Sequence, residues 1–231
     1  MDEKFNEKKY YMSLKEVDLL VNYPKSNRDV KERVGKKTDE DRLIARKFDF
    51  DYFDGDRAHG YGGYEYNPKF WGPVVKTFKD HWKLDHNSSV LDVGCGKGFT
   101  LFDLKKEVPG IKIKGIDISQ YAIDNSIEEI KDDLLVGNAK KLSFEDNSFD
   151  VVISINTIHN LDIDDCASAI KEIERVKKNN SYIIVDAYRT PEEKQRMYDW
   201  NLTAKTIMSA DEWIKFFKKN NYTGEYCWFI P

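Results

Sequence analysis

Two periodicities of apolar and polar residues alternate along the chain from about residue 88 onward. Short apolar runs, typical of buried strands, occur in the order SVLDVG, IKIKGIDI, DLLVGNA, FDVVISI and SYIIVDAY. The segments between them repeat apolar residues every three or four positions, as a helix with one buried face does. The clearest such face consists of Cys166, Ile170, Ile173 and Val176. Strands that alternate with helices predict an α/β fold, with a mostly parallel sheet and helices on both faces.

Several element boundaries also have sequence signals. Ser119 is placed to cap a helix over the segment SQYAIDNSIEEIKDD. Ser209 and Glu212 have the spacing of a capping box at the start of another helix. A final strand, GEYCWFI, follows that helix. The sheet is therefore expected to contain six strands, or seven if LTAKTIM contributes one.

Residues 1–85 follow a different pattern. Charged stretches around residues 13–21 and 38–48 suit helices, and DFDYFDGDRAHGYGGYEYNPKFWGP follows, rich in Tyr, Gly and Asp. These residues have too few regularly spaced apolar positions to form a separate core. We therefore expect residues 1–85 to be a helical and irregular arm, or lid, packed on a domain of residues 86–231.

Composition and charge narrow the classes of partner. The 231 residues carry a net charge of −4, whereas proteins that grip a phosphate backbone usually have a basic excess, so no nucleic-acid partner is expected. No apolar run approaches the length of a membrane span. The three cysteines, Cys95, Cys166 and Cys227, are scattered without metal-ligand spacing. This predicts free thiols in a reducing compartment, a cytoplasmic location and no metal site.

Polar residues stand at the carboxyl ends of the predicted strands, where open parallel sheets bind ligands. In chain order they are Asp92, Asp117, Asn138, Asn156 and Asp186. After the first strand comes a glycine-rich loop, Gly94–Gly98, which we call the glycine loop. The sequence therefore predicts one ligand site that these strand ends share.

The glycine loop excludes two common phosphate-binding patterns. It lacks the Gly-Lys-Ser/Thr ending of a phosphate loop, and Phe99 stands where the dinucleotide pattern G-x-G-x-x-G has its last glycine. Asp117 suits a ribose hydroxyl pair in a dinucleotide or in another adenosine cofactor. Asp92, two residues before Gly94, is unfavourable beside a pyrophosphate but favourable beside an ammonium group. These residues favour a cofactor with adenosine at one end and an amino acid at the other.

The segment VLDVGCGKG resembles motif I of the class I S-adenosylmethionine-dependent methyltransferases. GIDIS is similar to the ribose-binding second motif of that family, and GNAKKLSFEDNSFDVVISINTIHNL to its third and fourth strand region. The resemblance covers roughly residues 88–188. It implies a Rossmann-like fold and S-adenosylmethionine as the cofactor. Members of the family usually end in an antiparallel strand pair, whereas here only GEYCWFI follows the last predicted helix.

The same resemblance implies roles for individual residues. Gly94 and Gly96 would let the backbone approach the methionine part, Asp117 would bind the ribose, Ile118 would pack on adenine, and Asn138 would reach the adenine amino group. Many relatives carry Asp in place of Asn138, but the Asn oxygen can also accept from that amine. The complete set expected at the cofactor is Asp92, Gly94, Cys95, Gly96, Asp117, Ile118, Asn138, Ala139, Asn156 and Tyr64.

A small-molecule acceptor with a hydroxyl group is expected. Methylases of nucleic-acid and protein amines usually have an Asn/Asp-Pro-Pro-aromatic turn after the fourth strand, where this chain has Asn-Thr-Ile-His. If the acceptor is a hydroxyl, its proton has to leave, and the candidate bases are His159, in that turn, and His59, in the arm. The sequence leaves open whether a general base is used. Tyr61 and Tyr64 of the arm would belong to a lid. Acceptor contacts are expected from Tyr61, Tyr188 and Arg189, and the guanidinium would suit a phosphate or carboxylate.

The segments YFDGDRAHGYGGYEY and LTAKTIMSADEWIKFFKKNNYTGEY also resemble little-characterised bacterial methyltransferases associated with surface-polysaccharide (capsule or O-antigen) synthesis. This resemblance implies O-methylation of a nucleotide-activated sugar or of another phosphate-bearing capsule precursor. Two alternatives stay open, a non-catalytic binding or regulatory module of the same fold and an NAD-dependent oxidoreductase. The sequence also leaves open whether the chain forms a homodimer.

Overall fold

The computed structural model describes residues 14–24 and 37–231. In these stretches the strands are β1 Lys15–Glu16, β2 Ser89–Val93, β3 Lys112–Asp117, β4 Leu134–Val136, β5 Phe149–Ile155, β6 Lys177–Tyr188, β7 Met208–Ser209 and β8 Glu225–Phe229. The α-helices are α1 Asp39–Ala45, α2 Phe50–Phe53, α3 Pro68–Trp82, α4 Phe99–Glu107, α5 Gln120–Asp124, α6 Ile163–Val176, α7 Pro191–Trp200 and α8 Ala210–Lys219. Two 3₁₀ turns also occur, Glu128–Asp133 and Ile158–Asn160.

Seven strands form the sheet in the order β1-β8-β6-β5-β2-β3-β4, and the short β7 pairs with β6. Every strand pair in the described stretches is parallel. The predicted Rossmann-like fold is confirmed. The seventh strand along the sheet is β1 of the arm, because LTAKTIM contributes only Met208, which lies in β7. The last strand, β8, is parallel to β6 and not part of an antiparallel pair.

Helices cover both faces of the sheet. Neighbouring residues of one strand point to opposite faces, so Ile183 and Ile184 of β6 enter two different apolar clusters. The first cluster includes Ile170 of α6, which belongs to the helix face predicted from the sequence. The second includes Phe78 of α3 and Leu104 of α4. No helix within the described residues has both the length and the apolar character needed to cross a membrane.

The sequence predicted two elements wrongly. The helix expected over residues 119–133 ends at Asp124, and a 3₁₀ turn begins at Glu128. The Asn125 side chain donates to the carbonyl of Tyr121 at 2.9 Å, a local bond that competes with helix continuation.

The stretch 13–21 was expected to be helical, but residues 14–21 contain strand β1 and a turn. Lys15 and Glu16 pair with β8, and the amide of Val17 donates to the carbonyl of Tyr226 at 2.9 Å. Pairing with an existing sheet edge therefore overrides the local helical pattern. The helix expected around residues 38–48 is α1, which Thr38 caps.

Candidate active site

The parallel sheet gathers the polar strand ends at one edge, which we call the carboxyl edge. The amide of Gly96 donates to Oδ2 of Asp117 at 2.7 Å, and the amide of Gly94 donates to the carbonyl of Ile116 at the same distance. The glycine loop after β2 is therefore bonded to the end of β3. Asp92, at the end of β2, lies close enough to Asp117 for the charge of Asp117 to raise its pKa.

The two glycines at the centre of the loop have different structural roles. Both have positive φ, +89° at Gly94 and +54° at Gly96. A Cβ on Gly94 would stand 2.0 Å from Oγ1 of Thr157, whereas one on Gly96 would be 3.5 Å from the ring of Tyr64. Gly94 is thus required by the packing of Thr157, with or without a ligand. The open side of Gly96 faces the arm.

Asp92 has a buried carboxyl group whose pKa lies far above its usual value. It is 4% exposed and accepts no hydrogen bond from any described residue. Burial, together with the charge of Asp117, raises the pKa of Asp92 to about 8. A buried carboxyl group without a partner is costly once it ionises, and a cation placed beside it would offset that cost. The side chain fits the ammonium group of an amino-acid cofactor.

Asp117 and Ile118 fit the adenosine end of such a cofactor. Oδ1 of Asp117 accepts the amide of Ser119 at 2.9 Å, and each carboxylate oxygen keeps a lone pair for a ribose hydroxyl. Burial raises the pKa of Asp117, although the backbone amides that donate to it act in the opposite direction. Ile118 follows directly and is 57% exposed, which leaves an apolar surface for a flat base.

The other residues expected at the cofactor differ in their burial and in their hydrogen bonds. Oδ1 of Asn138 accepts the amide of Lys140 at 3.0 Å, so only one of its lone pairs remains for an adenine amine. Ala139 packs against the core, and Asn156 is exposed at the end of β5 with φ +54°. Cys95 is buried, and burial raises the pKa of its thiol well above the usual value. It therefore acts as a small packing residue.

The described part of the arm covers the glycine loop with aromatic rings. The Tyr64 ring stacks on Phe99, with 4.7 Å between centroids, and lies 4.3 Å from the Tyr61 ring. Burial raises the pKa of Tyr64, and the charges of Asp92 and Asp117 act in the same direction. Tyr64 therefore lies near both acids of the site, whereas Tyr61 is 42% exposed at its rim.

An ionic contact that the sequence did not reveal fastens the arm to the loop. Asp54 accepts from Nζ of Lys97 at 2.6 Å, from the hydroxyl of Tyr121 at 2.6 Å and from the amide of Tyr64 at 2.8 Å. Lys97 is 6% exposed. Burial alone would raise the pKa of Asp54, but the bonds from Lys97, Tyr121 and Tyr64 lower it overall. We call this contact the Asp54 latch.

His159 is buried and bonded to the backbone of β6. It is 3% exposed, and its Nδ1 accepts the backbone amide of Asp186 at 2.9 Å. Burial lowers the pKa of His159, although the nearby Asp186 carboxylate raises it. A neutral ring that accepts at Nδ1 carries its proton on Nε2, so it can donate a bond but has no lone pair for a substrate proton. In this geometry His159 is placed to donate a hydrogen bond from Nε2, and its expected role as a base stays a prediction.

His59 pairs with a carboxylate that orients its ring. Its Nε2 lies 3.2 Å from Oδ1 of Asp41, and its buried Nδ1 has no hydrogen-bond partner among the described residues. The backbone and side chain of Thr38 lower the pKa of Asp41, which keeps this carboxylate ionised. Asp41 thereby favours the tautomer with a proton on Nε2 and a bare lone pair on Nδ1. From the sequence alone, Asp41 is only a helix-capping residue.

The two residues expected to meet an acceptor after the fifth predicted strand have other partners. Nη2 of Arg189 lies 2.7 Å from Oε1 of Glu16 in β1, in an exposed ion pair. The hydroxyl of Tyr188 lies 3.5 Å from Oε2 of Glu212. The guanidinium of Arg189 is thus matched by a carboxylate of the sheet edge, and the expectation that it binds an acceptor anion does not fit this geometry.

Residues 84–223 match the family described as Methyltransferase domain, which is more than half of the chain. Demethylmenaquinone methyltransferase of Lactococcus lactis is 35% identical over 103 residues, 42% of this chain and 40% of that protein. The mouse protein named Arginine-hydroxylase NDUFAF5, mitochondrial, is 34% identical over 95 residues, 41% of this chain and 27% of that protein. The chain thus matches less than half the length of these two relatives.

Solved structures with low identity share the fold. The [4+2]-cyclase SpnF has a TM-score of 0.53 at 19% identity, over 73% of this chain and 61% of that one. The YcgJ protein from Bacillus subtilis has a TM-score of 0.51 at 20% identity, over 63% of this chain and 66% of that one. The family match covers more than half of the chain, and the matched residues include the glycine loop and the acids at the carboxyl edge. The chain belongs to the family of S-adenosylmethionine-dependent methyltransferases.

Proposed function

We propose that this protein transfers a methyl group from S-adenosylmethionine to a hydroxyl group of a small polar acceptor. The observation that carries the proposal is the Asp41–His59 pair, an oriented imidazole with a bare Nδ1 in the arm that covers the glycine loop. When bound, S-adenosylmethionine supplies an electrophilic methyl group. The residues of the chain have to hold it, exclude water and remove the acceptor proton.

The cofactor would be held by residues of the carboxyl edge. Asp92 would pair with the ammonium group, Asp117 would accept from the ribose hydroxyls, and Ile118 would cover the adenine. Gly96 leaves space beside the loop because it has no side chain. Tyr64 and the Asp54 latch would keep the arm over this space and limit the access of water.

His59 would act as the general base. Its Nδ1 would accept the proton that the acceptor hydroxyl gives up. Asp41 would stabilise the resulting imidazolium through the proton on Nε2. A positioned base of this kind accounts for about 10²–10⁴-fold in rate. His159, with its proton on Nε2, would serve as a hydrogen-bond donor that supports the same edge.

For the acceptor we propose a nucleotide-activated sugar or another phosphate-bearing precursor of a surface polysaccharide. The support is the resemblance of the arm and of the C-terminal segment to methyltransferases associated with such synthesis. The relative from Lactococcus lactis acts, by its name, on demethylmenaquinone, but the matched region covers only 40% of that protein. The acceptor of one protein therefore does not transfer directly to the other.

The test is release of S-adenosylhomocysteine across a panel of sugar nucleotides, with His59→Gln, Asp41→Asn and a control, His86→Gln, at an exposed histidine. His59→Gln should lower turnover by roughly 10²–10⁴-fold with nearly unchanged S-adenosylhomocysteine affinity. Asp41→Asn should lower it less, and His86→Gln should have no effect.

Each alternative predicts a different result. Full turnover of His59→Gln would show that the base does not lie in the arm. Tight binding of S-adenosylhomocysteine without turnover on any acceptor would favour a non-catalytic module. Binding of NAD in place of S-adenosylhomocysteine would favour an oxidoreductase. Calorimetric titration with both cofactors separates the last two cases.

A further inference from the structure

A cavity of about 450 Å³ adjoins the turn that carries His159. Its lining includes Arg46, Asp162, Tyr198, Asn201 and Lys205. The amide of Lys205 donates to the carbonyl of His159 at 3.0 Å, so one wall is bonded to the turn after β5. The cavity therefore lies next to the carboxyl edge. We call it the Arg46 pocket.

Arg46 is held in place without a carboxylate. Its Nε and Nη2 donate to the carbonyls of Thr203 and Ala204, both at 3.1 Å. No acidic side chain in the described part of the chain forms an ion pair with it, and its Nη1 has no hydrogen-bond partner there. Carbonyl groups orient a guanidinium but leave its charge uncompensated. Arg46 is thus a fixed, half-buried cation with donors to spare.

The loop that carries these carbonyls is itself fixed. Oδ1 of Asn201 accepts the amide of Ala204 at 2.8 Å, and its Nδ2 donates to the carbonyl of the same residue at 2.9 Å. Two bonds from one side chain close the loop over residues 201–204. Arg46 is therefore oriented before any ligand arrives, which lowers the entropy cost of binding.

The charges lining the pocket favour an anion. Lys205 and Arg46 are cationic, and Asp162 is the one carboxylate among the lining side chains that are described. Nζ of Lys205 lies 3.1 Å from Oδ2 of Asp162, but both side chains are exposed, at 41% and 70%, so this pair is weak. Tyr198, 48% exposed, adds a phenol ring at the rim.

We propose that the Arg46 pocket binds an oxyanion of the acceptor, a phosphate or a carboxylate, and so selects acceptors that carry one. This inference rests on the proposed methyl transfer and specifies its substrate class. A guanidinium with two donors in one plane matches two oxygens of such a group. Arg189, which the sequence suggested for this role, already has a carboxylate partner.

The test is calorimetric titration of the full chain, saturated with S-adenosylhomocysteine, with inorganic pyrophosphate and separately with malonate. Arg46→Gln should weaken anion binding by about tenfold or more, the scale of a lost charge-assisted bond. Asp162→Asn should strengthen it by roughly two- to fivefold, because one competing carboxylate is removed. Lys178→Gln, at a lysine 62% exposed at the opposite end of β6, is the matched control and should change nothing.

If Arg46→Gln disturbs the loop, Asp162→Asn still tests the inference. The Asp162 side chain makes no capping bond to α6, so its replacement should leave that helix intact. Pyrophosphate binding without malonate binding would identify a phosphate-bearing acceptor, and the reverse a carboxylate. Equal anion affinity in the native protein and Arg46→Gln, weaker binding by Asp162→Asn, or no binding at about 10 mM anion would overturn the inference. Anion binding in the predicted order without methylation of any hydroxyl would instead defeat the proposed reaction.

Discussion

At the scale of single residues, Asp92 links the cofactor site to the stability of the fold. Its pKa of about 8 means that the folded protein keeps this proton over a range in which an unfolded chain has lost it. The group therefore contributes most to stability below the unfolded pKa. That contribution is lost as the pH rises through about 8.

Asp92→Asn should accordingly stabilise the protein without cofactor at alkaline pH while weakening the cofactor site. Its melting temperature should equal that of the native protein near pH 4 and exceed it by pH 9, because Asn never ionises. Native affinity for S-adenosylhomocysteine should rise from pH 6 towards pH 8 as Asp92 ionises, and the variant should lose this rise. Thermal unfolding and titration across pH measure both effects. A native melting temperature that does not fall relative to the variant would contradict the assignment.

Gly94 and Gly96 should respond differently to a methyl group. Gly94→Ala places a Cβ 2.0 Å from Thr157 and should cost about 2–4 kcal/mol of unfolding free energy. Thr157→Gly removes the obstructing atoms, so the double variant should recover part of that loss. Gly96→Ala meets only ordinary contacts and should cost about 1 kcal/mol from its positive φ. Urea unfolding of the four variants tests this, and strict additivity of Gly94→Ala and Thr157→Gly would argue against the contact.

At the scale of elements, the sequence predicted those with a strong internal period. The face of α6 and the strands β2, β3 and β5 repeat a local pattern, and Ser209 with Glu212 forms the predicted capping box of α8. β1 was missed because its two residues become a strand only through pairing with β8.

The residues of the site likewise fall into those that the sequence predicted and those that it did not. Asp92, Asp117 and Ile118 lie at the carboxyl ends of β2 and β3, so their closeness could be predicted from the parallel topology. Asp54 and Lys97, in contrast, are 43 positions apart, and although Lys97 lies in the glycine loop, nothing in the sequence pairs it with Asp54. The pairing of Asp41 with His59 likewise depends on how the arm crosses the sheet. Contacts of this kind depend on tertiary packing and have no local signal.

The Asp54 latch should control how firmly the arm holds the cofactor. Asp54→Ala leaves Lys97 buried and without its partner, so it should weaken S-adenosylhomocysteine binding by about tenfold and destabilise the fold. Lys97→Met in the same chain should restore much of the stability, because the unpaired charge is gone. Asp39→Ala, at a carboxylate 98% exposed, is the control. If the double variant is less stable than Asp54→Ala, the latch does not work by charge pairing.

At the scale of the whole molecule, the arm crosses the carboxyl edge from β6 to β3. Nζ of Lys37 donates to the carbonyl of Trp200, Arg46 reaches the loop that follows α7, and Phe50 contacts Tyr121 at 5.7 Å between ring centroids. One segment therefore touches both the side of the sheet with the Arg46 pocket and the side with the glycine loop. A ligand bound on either side of the sheet can therefore affect this segment.

S-adenosylhomocysteine should therefore slow amide hydrogen exchange in residues 49–66 of the arm while leaving β8 unchanged. The reason is that Tyr64 and the Asp54 latch contact the glycine loop, whereas β8 lies on the far side of β6. Exchange measured by mass spectrometry with and without the ligand would test this. Equal exchange of residues 49–66 in both states would mean that the arm does not respond to the cofactor.

The parallel pairing of β1 with β8 has a consequence for how the chain is made. Lys15 pairs with Glu225, about 200 residues further along, so this contact has a very long loop to close. Contacts of such high order form late in folding. On the ribosome, β2 to β5 are all synthesised well before β8, so the cofactor-binding half of the sheet can assemble while β1 still has no neighbour. The start of the arm, at β1, is then fixed only after β8 has emerged.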